Sequence, residues 1–347
     1  MSLCHWPSVA IALCVSVLSP AGVPTALAAV APASEIRGRV LVDGKPAAGV
    51  AVAVLPFEDG FAAARREARR EDLPKPLVSG TTRPDGTFAV TVPGPAGAAV
   101  RVSFSGAPAA PRVLDRLFDS GGEDAGDVRL PKALALAGRV ADERGGPVVG
   151  ATVTLWAGNG RRSQDTTSAS GLPESTVTKA DGTFRFEAAA EEGNRIRVEA
   201  PAFATQERQP VRAGALARPV TLALGQVLRG TVTLADKRTP APGALVRFEG
   251  RTQTTRWVEA RADGSFLLDG APREAGSLVA DGGDRGRASA VLAQGTGAEP
   301  VAIALAPTAA LAGRVVDAAD GKPLSGIRVV ARGQGGEFLA RSGPDGR

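Results

Sequence analysis

The sequence has 347 residues, 44% of them hydrophobic and 22% charged. That balance is ordinary for globular protein and the length suits about two to four domains, so wholesale disorder is not the default reading. The net charge of +5 comes from 41 Lys and Arg interleaved with 36 Asp and Glu. A nucleic-acid surface would gather its basic residues on one face with aromatics for stacking, so no nucleic acid is expected as a partner.

The first element is an unbroken apolar run, Val9 to Leu18, followed by Pro20 and the small-x-small site Ala26-Leu27-Ala28. Residues 1–28 are read as a cleaved export signal, because ten apolar residues fall short of the roughly 20 that a spanning helix needs. Residues 29–34 are a linker. The only His, His5, and the only cysteines, Cys4 and Cys14, lie in the signal. Its removal leaves no imidazole and no thiol, which rules out a Ser-His-Asp triad, a cysteine nucleophile, a disulfide and a thiolate or imidazole metal site. No catalytic residue, metal or cofactor is assigned. The mature chain is expected to be secreted, periplasmic or at the cell surface, without a transmembrane helix.

Beyond the linker one unit is written four times. Gly-x-Val occurs at Gly38, Gly138, Gly230 and Gly313, spaced by 100, 92 and 83 residues. A Pro-x-x-Gly follows each time, at Pro46 and Gly49, Pro147 and Gly150, Pro240 and Gly243, and Pro323 and Gly326. Each of these glycines opens an alternating apolar run, the first being Val50-x-Val52-x-Val54. An Asp-Gly closes the pattern: Asp85-Gly86, Asp181-Gly182, Asp263-Gly264 and Asp345-Gly346, with Phe88, Phe184 and Phe266 two residues beyond the first three. Asp-Gly between alternating runs predicts a hairpin, and Pro-x-x-Gly predicts a turn. Period-two alternation gives each strand one buried face. With six or seven strands per copy, the expectation is an antiparallel sandwich.

These landmarks resemble the carboxypeptidase regulatory-like domain, which is similar to the transthyretin and prealbumin sandwich. The resemblance runs from residue 36 to 347. The Gly-x-Tyr setting usual in that family is missing, and only Phe203 stands in for its later aromatic. It implies an all-β chain, a tandem array of Ig-like, transthyretin-like antiparallel β-sandwiches. Repeat 1 is residues 35–133 with a helical insertion at 58–73, repeat 2 is 134–225, repeat 3 is 226–308, and residues 309–347 are a truncated fourth. The last copy stops one residue after its Asp-Gly, so the chain is expected to belong to a longer one. Zinc carboxypeptidases associated with such modules need His and Glu ligands, so any such enzyme would lie beyond residue 347 or on a partner.

Candidate sites are few. The insertion is helical by propensity and carries a basic stripe, Arg65, Arg66, Arg69 and Arg70. With only alanines and Phe61 opposite, it is read as solvated. Asp119-Ser120-Gly121 spells an aspartic-protease loop but has no second copy in the chain. That loop and Asp281 to Asp284 are the acidic clusters, and neither has EF-hand spacing. Trp156 points away from the Val153 and Leu155 face and is the candidate for stacking on a sugar ring, whereas Trp257 is read as a packing position. Asn159 and Asn194, confined to repeat 2, exclude a Lys-Asn staple common to all copies. The expectation is an exported non-enzymatic array of monomeric modules on short linkers, such as 133–137 and 306–310. It would serve as a spacer or interaction scaffold for an unidentified protein or glycan. The alternatives are a carbohydrate-binding array and an accessory region of a metallocarboxypeptidase.

Overall fold

The computed structural model describes residues 35–93, 97–158, 169–294, 299–333 and 336–347. The signal, the linker and Asn159 lie outside them. Residues 31–308 form one compact unit, and residues 309–347 fall in a second.

Repeats 1 to 3 each build two sheets on one plan. In repeat 1, Glu35–Val42 runs between Thr87–Thr91, antiparallel, and Glu123–Leu130, parallel. The facing sheet sets Ala51–Pro56 between Val78–Thr81 and Ala99–Ser105. In repeat 2, Leu134–Asp142 pairs with Thr183–Ala189 and, in parallel, with Val220–Leu222. Its second sheet orders Pro173–Val177, Thr152–Trp156, Asn194–Glu199 and Gln206–Val211. In repeat 3, Gln226–Thr233 lies between Ser265–Ala271 and the parallel Val301–Ala304, facing a sheet centred on Leu245–Gly250 and Gly276–Asp281. The sandwiches are therefore mixed, not wholly antiparallel. The last strand of each repeat returns to the first sheet only after the chain has crossed the second, and so runs in the same direction as the first strand.

Alternation fills three separate cores. Ile36, Val52 and Phe104 are fully buried in the first, Leu136, Val153 and Ile196 in the second, and Val232, Val246 and Phe248 in the third. The landmark glycines are explained by contact. Gly38, Gly138 and Gly230 stand opposite Phe88, Phe184 and Phe266, and a Cβ on them would come within 3.0, 2.6 and 2.8 Å of those rings. Gly-x-Val and Asp-Gly-x-Phe are thus two sides of one packing contact. At the Asp-Gly turns, Gly86, Gly182, Gly264 and Gly346 take φ of +77 to +80°, a region that other residues enter at a cost. The carboxylates of Asp85 and Asp181 accept the amide and hydroxyl of Thr87 and Thr183.

A further buried residue joins the grammar three positions before each of these aspartates. Thr178 Oγ1 accepts from the Ala151 amide at 2.9 Å and donates to the Val148 carbonyl at 2.6 Å. Thr82 does the same between Val50 and Ala47, and Ser342 between Ile327 and Leu324. Repeat 3 has Ala260 there. Thr178→Ala should leave a buried amide and carbonyl unpaired and cost about 1–3 kcal/mol. A chemical-denaturation midpoint unchanged from wild type would refute the role.

Residues 309–347 repeat the turns by themselves: the Val315 amide donates to the Gly346 carbonyl, and Arg328–Gly333 pairs with Gly336–Arg341. Ile327, Val329 and Phe338 are 39–52% exposed there.

Two expectations about the connections are corrected. Most of 133–137 is not a free linker, since the strand Leu134–Asp142 begins there and the Ala133 amide donates to the Pro108 carbonyl. Ala306 likewise bridges to Arg287. The insertion in repeat 1 is helix α1, Gly60–Arg69, and it is not a solvated excursion.

Candidate functional site

Helix α1 starts where Asp59 accepts the Ala62 amide at 2.7 Å, a side-chain N-cap. It ends at Arg70, which turns into the left-handed region with φ of 57°. Phe61, Ala64 and Ala68 recur at helical spacing and pack on Leu245, Trp257 and Val279 of repeat 3. Those three lie on the outer face of a sheet, yet they are only 0%, 7% and 6% exposed. The helix from repeat 1 therefore covers an apolar face on repeat 3.

Its charged flanks extend the contact. Arg69 Nε and Nη2 donate to both oxygens of Glu259 at 2.8 and 2.9 Å, a bidentate fork. Glu67 accepts from Arg197 of repeat 2 at 2.5 Å. Arg66 turns inward to Glu58. The expected basic stripe is accordingly divided, with Arg65 and Arg70 left on the exposed side. The correction has a simple cause: the helix needs only a narrow apolar face, because its partner supplies the large side chains.

Arg197 is the node between the repeats. It is buried, and it donates to Glu207 at 2.9 Å as well as to Glu67. Burial opposes its charge, but Glu67, Glu207 and Glu199 together outweigh that and raise its pKa above the ordinary arginine value. Beside it, Arg195 lies 3.9 Å and Arg197 5.2 Å from the Trp156 ring centre, a cation–π stack. A sugar ring at Trp156 would compete with these guanidiniums. Arg256 of repeat 3 pairs with Glu199 of repeat 2, and the Thr205 amide donates to the Gly270 carbonyl at 3.0 Å.

Repeats 1 and 2 are also stitched directly. Ala169–Gly171 adds to the strand Arg112–Leu114 as an antiparallel neighbour, and Arg112 donates to the carbonyls of Ala157 and Gly158 at 2.7 and 2.6 Å. Burial lowers the Arg112 pKa. Sequence reasoning missed Arg197, Glu67 and Glu207, because a pair between repeats has no local spacing to show it. The apolar face was visible in principle. Leu245-Val246 and Leu278-Val279-Ala280 break alternation, as strands covered on both faces do.

The other candidates hold turns. Asp119 accepts the amides of Gly97 and Gly121 at 2.9 and 2.7 Å, and Ser120 accepts that of Ala98. Asp281 accepts the Gly283 amide. Asn194 is fully buried, bonding the Ala190 and Val211 carbonyls. Among the described residues no group of three or more His, Cys, Asp or Glu is placed to hold a metal, and no helix is long and apolar enough to cross a membrane.

Hydrogen bonds from Arg69 hold the Glu259 carboxyl below its ordinary value of 4.5. A depressed folded-state pKa means that the stabilisation is complete above about pH 4.5 and lost as pH falls through the lower value. Glu259→Gln should therefore weaken the protein at pH 7 and flatten its loss of melting temperature as pH falls below about 4.5. Equal acid losses in variant and wild type would show that the pair contributes nothing.

Repeat 2 brings all of this together: the Gly138–Phe184 contact, the Pro147 and Asp181 turns, and the parallel return of Val220–Leu222. Residues 135–225 match the family model of the carboxypeptidase regulatory-like domain. The central strand with one antiparallel and one parallel neighbour that this matched region builds recurs in repeats 1 and 3. No curated protein matches the sequence. Among solved structures, a streptococcal ancillary pilin is similar at 11% identity, over 79% of this chain and all of that one, with a TM-score of 0.22. The Bacillus anthracis TIE protein is similar at 14% identity, over 78% and 50%, with a TM-score of 0.21. BcpA, the major pilin subunit of Bacillus cereus, is similar at 11% identity, over 79% and 99%, with a TM-score of 0.20.

Proposed function

We propose that the chain is an exported, non-enzymatic scaffold of β-sandwich modules, acting as a spacer or docking frame at the cell surface or in the periplasm. The observation that carries this reading is helix α1, which ties repeats 1, 2 and 3 together through Phe61, Glu67 and Arg69. A spacer needs to hold distance, and cross-bracing supplies stiffness that free linkers do not. Support also comes from the sequence: once residues 1–28 are removed, neither imidazole nor thiol is present for catalysis.

The test has two arms. N-terminal sequencing of the product recovered from the exported fraction should begin at Ala29. The same purified product should show no peptide hydrolysis with or without added zinc. A product that stays in the cytoplasm with His5 retained, or hydrolysis that survives rigorous purification, would overturn the proposal.

A further inference from the structure

An open groove of about 790 Å³ runs between the edge strand Gln206–Val211 of repeat 2, with its continuation to Ala217, and the turn at Arg251 to Gln253 of repeat 3. Three arginines line it. The Arg208 guanidinium donates to the carbonyls of Pro219 at 2.7 Å and Arg218 at 3.5 Å at the end of the groove, which holds it in place without neutralising it. Arg212 pairs with Glu192, but the two side chains are 73% and 65% exposed, so that pair is screened and readily exchanged. Arg251 is exposed and has no ion-pair or hydrogen-bond partner among the described residues. The acidic residue of the lining, Glu207, is already committed to Arg195 and Arg197. The groove thus presents an excess of guanidinium forks, whose geometry matches carboxylates.

The rest of the lining narrows the ligand class. It contains no aromatic residue, so a neutral sugar would lack a ring face to stack on and affinity must come from charge. A peptide added to the strand edge would find an interrupted ladder. The Glu207 amide already donates to Gln253 Oε1 at 2.7 Å, and Pro210 has no amide hydrogen. What remains suits a saccharide: Gln209 offers an amide partner, Thr252 keeps hydroxyl lone pairs to accept with while its hydroxyl donates to Glu274 at 3.3 Å, and Ala213, Leu216 and Ala217 give a small apolar wall for the C–H face of a pyranose. We infer that this groove binds an acidic oligosaccharide, with Arg208, Arg212 and Arg251 meeting its carboxylates. The inference stands apart from the scaffold reading, since a rigid spacer needs no such site.

The test is isothermal titration of the purified chain with tetragalacturonate, with its fully methyl-esterified form, and with polyglutamate as the peptide arm. Saturable binding of tetragalacturonate that weakens with salt is expected, with none of the neutral ester and no competition by polyglutamate. Arg212→Ala and Arg251→Ala should each weaken binding about tenfold or more, the scale of a lost charge-assisted bond. Both side chains are exposed, so the melting temperature should not move. The inference is overturned if wild type shows no saturable binding, if the ester binds equally well, if polyglutamate competes equally, or if the double variant binds like wild type.

Discussion

Trp257→Ala should lower the stability of the protein by about 3–5 kcal/mol, the usual cost of removing a large buried aromatic. Trp257 does not sit between the two sheets of its own sandwich. It lies on the outer face with Leu245 and Val279, covered by Phe61, Ala64 and Ala68 of the helix and flanked by Arg247 at 4.3 Å from its ring centre. Much of the cost is therefore paid at a contact between repeats. Phe61→Ala, from the other side of that contact, should cost about 1–3 kcal/mol. The double variant should cost less than the two together, since the residues share one interface. Thermal unfolding of the four proteins measures this directly. Strict additivity would place Trp257 in a local environment independent of α1.

The second large effect is expected at Gly230→Ala, at about 3 kcal/mol. An added Cβ would stand 1.9 Å from the Val301 carbonyl oxygen and 2.8 Å from the Phe266 ring. The ring can tilt, but the carbonyl belongs to the parallel return strand Val301–Ala304, paired with Gln226–Thr233 at this position. The strand has to move away and loosen its ladder. Hydrogen exchange should accordingly speed up at Ala302 and Ile303 before it does at Leu278 and Ala280 of the facing sheet. If both sheets keep wild-type protection, the close approach is not what fixes glycine at this position.

What was legible in the sequence followed from short-range contact. The Asp85-Gly86 turn, its Thr87 and the facing Val40 form one local hydrogen-bonded device, and Gly38 answers Phe88 across a single strand pair. Such landmarks keep their spacing, so four copies align by eye. The parallel return strands were not legible, because Val220–Leu222 and Val301–Ala304 are short and nothing in them marks direction. The brace was hidden for a different reason. Phe61 and two alanines make a weak apolar face when counted alone, and although Trp257 reads as a packing position, its neighbours Leu245 and Val279 sit at positions that alternation assigns to solvent. Only their juxtaposition shows that each side covers the other. Arg197 was similarly opaque, since its carboxylate partners come from Glu67, 130 residues away, and from Glu207 on the neighbouring strand.

The brace itself can be measured by double electron–electron resonance. The chain trimmed of residues 1–28 contains no cysteine, so spin labels at Arg129→Cys in repeat 1 and Arg229→Cys in repeat 3, both exposed positions, report only on those two modules. A narrow distance distribution is predicted for the otherwise wild-type protein, broadening markedly when Phe61→Asp and Glu67→Lys detach the helix. A distribution that is broad from the start and unaltered by those substitutions would contradict the account.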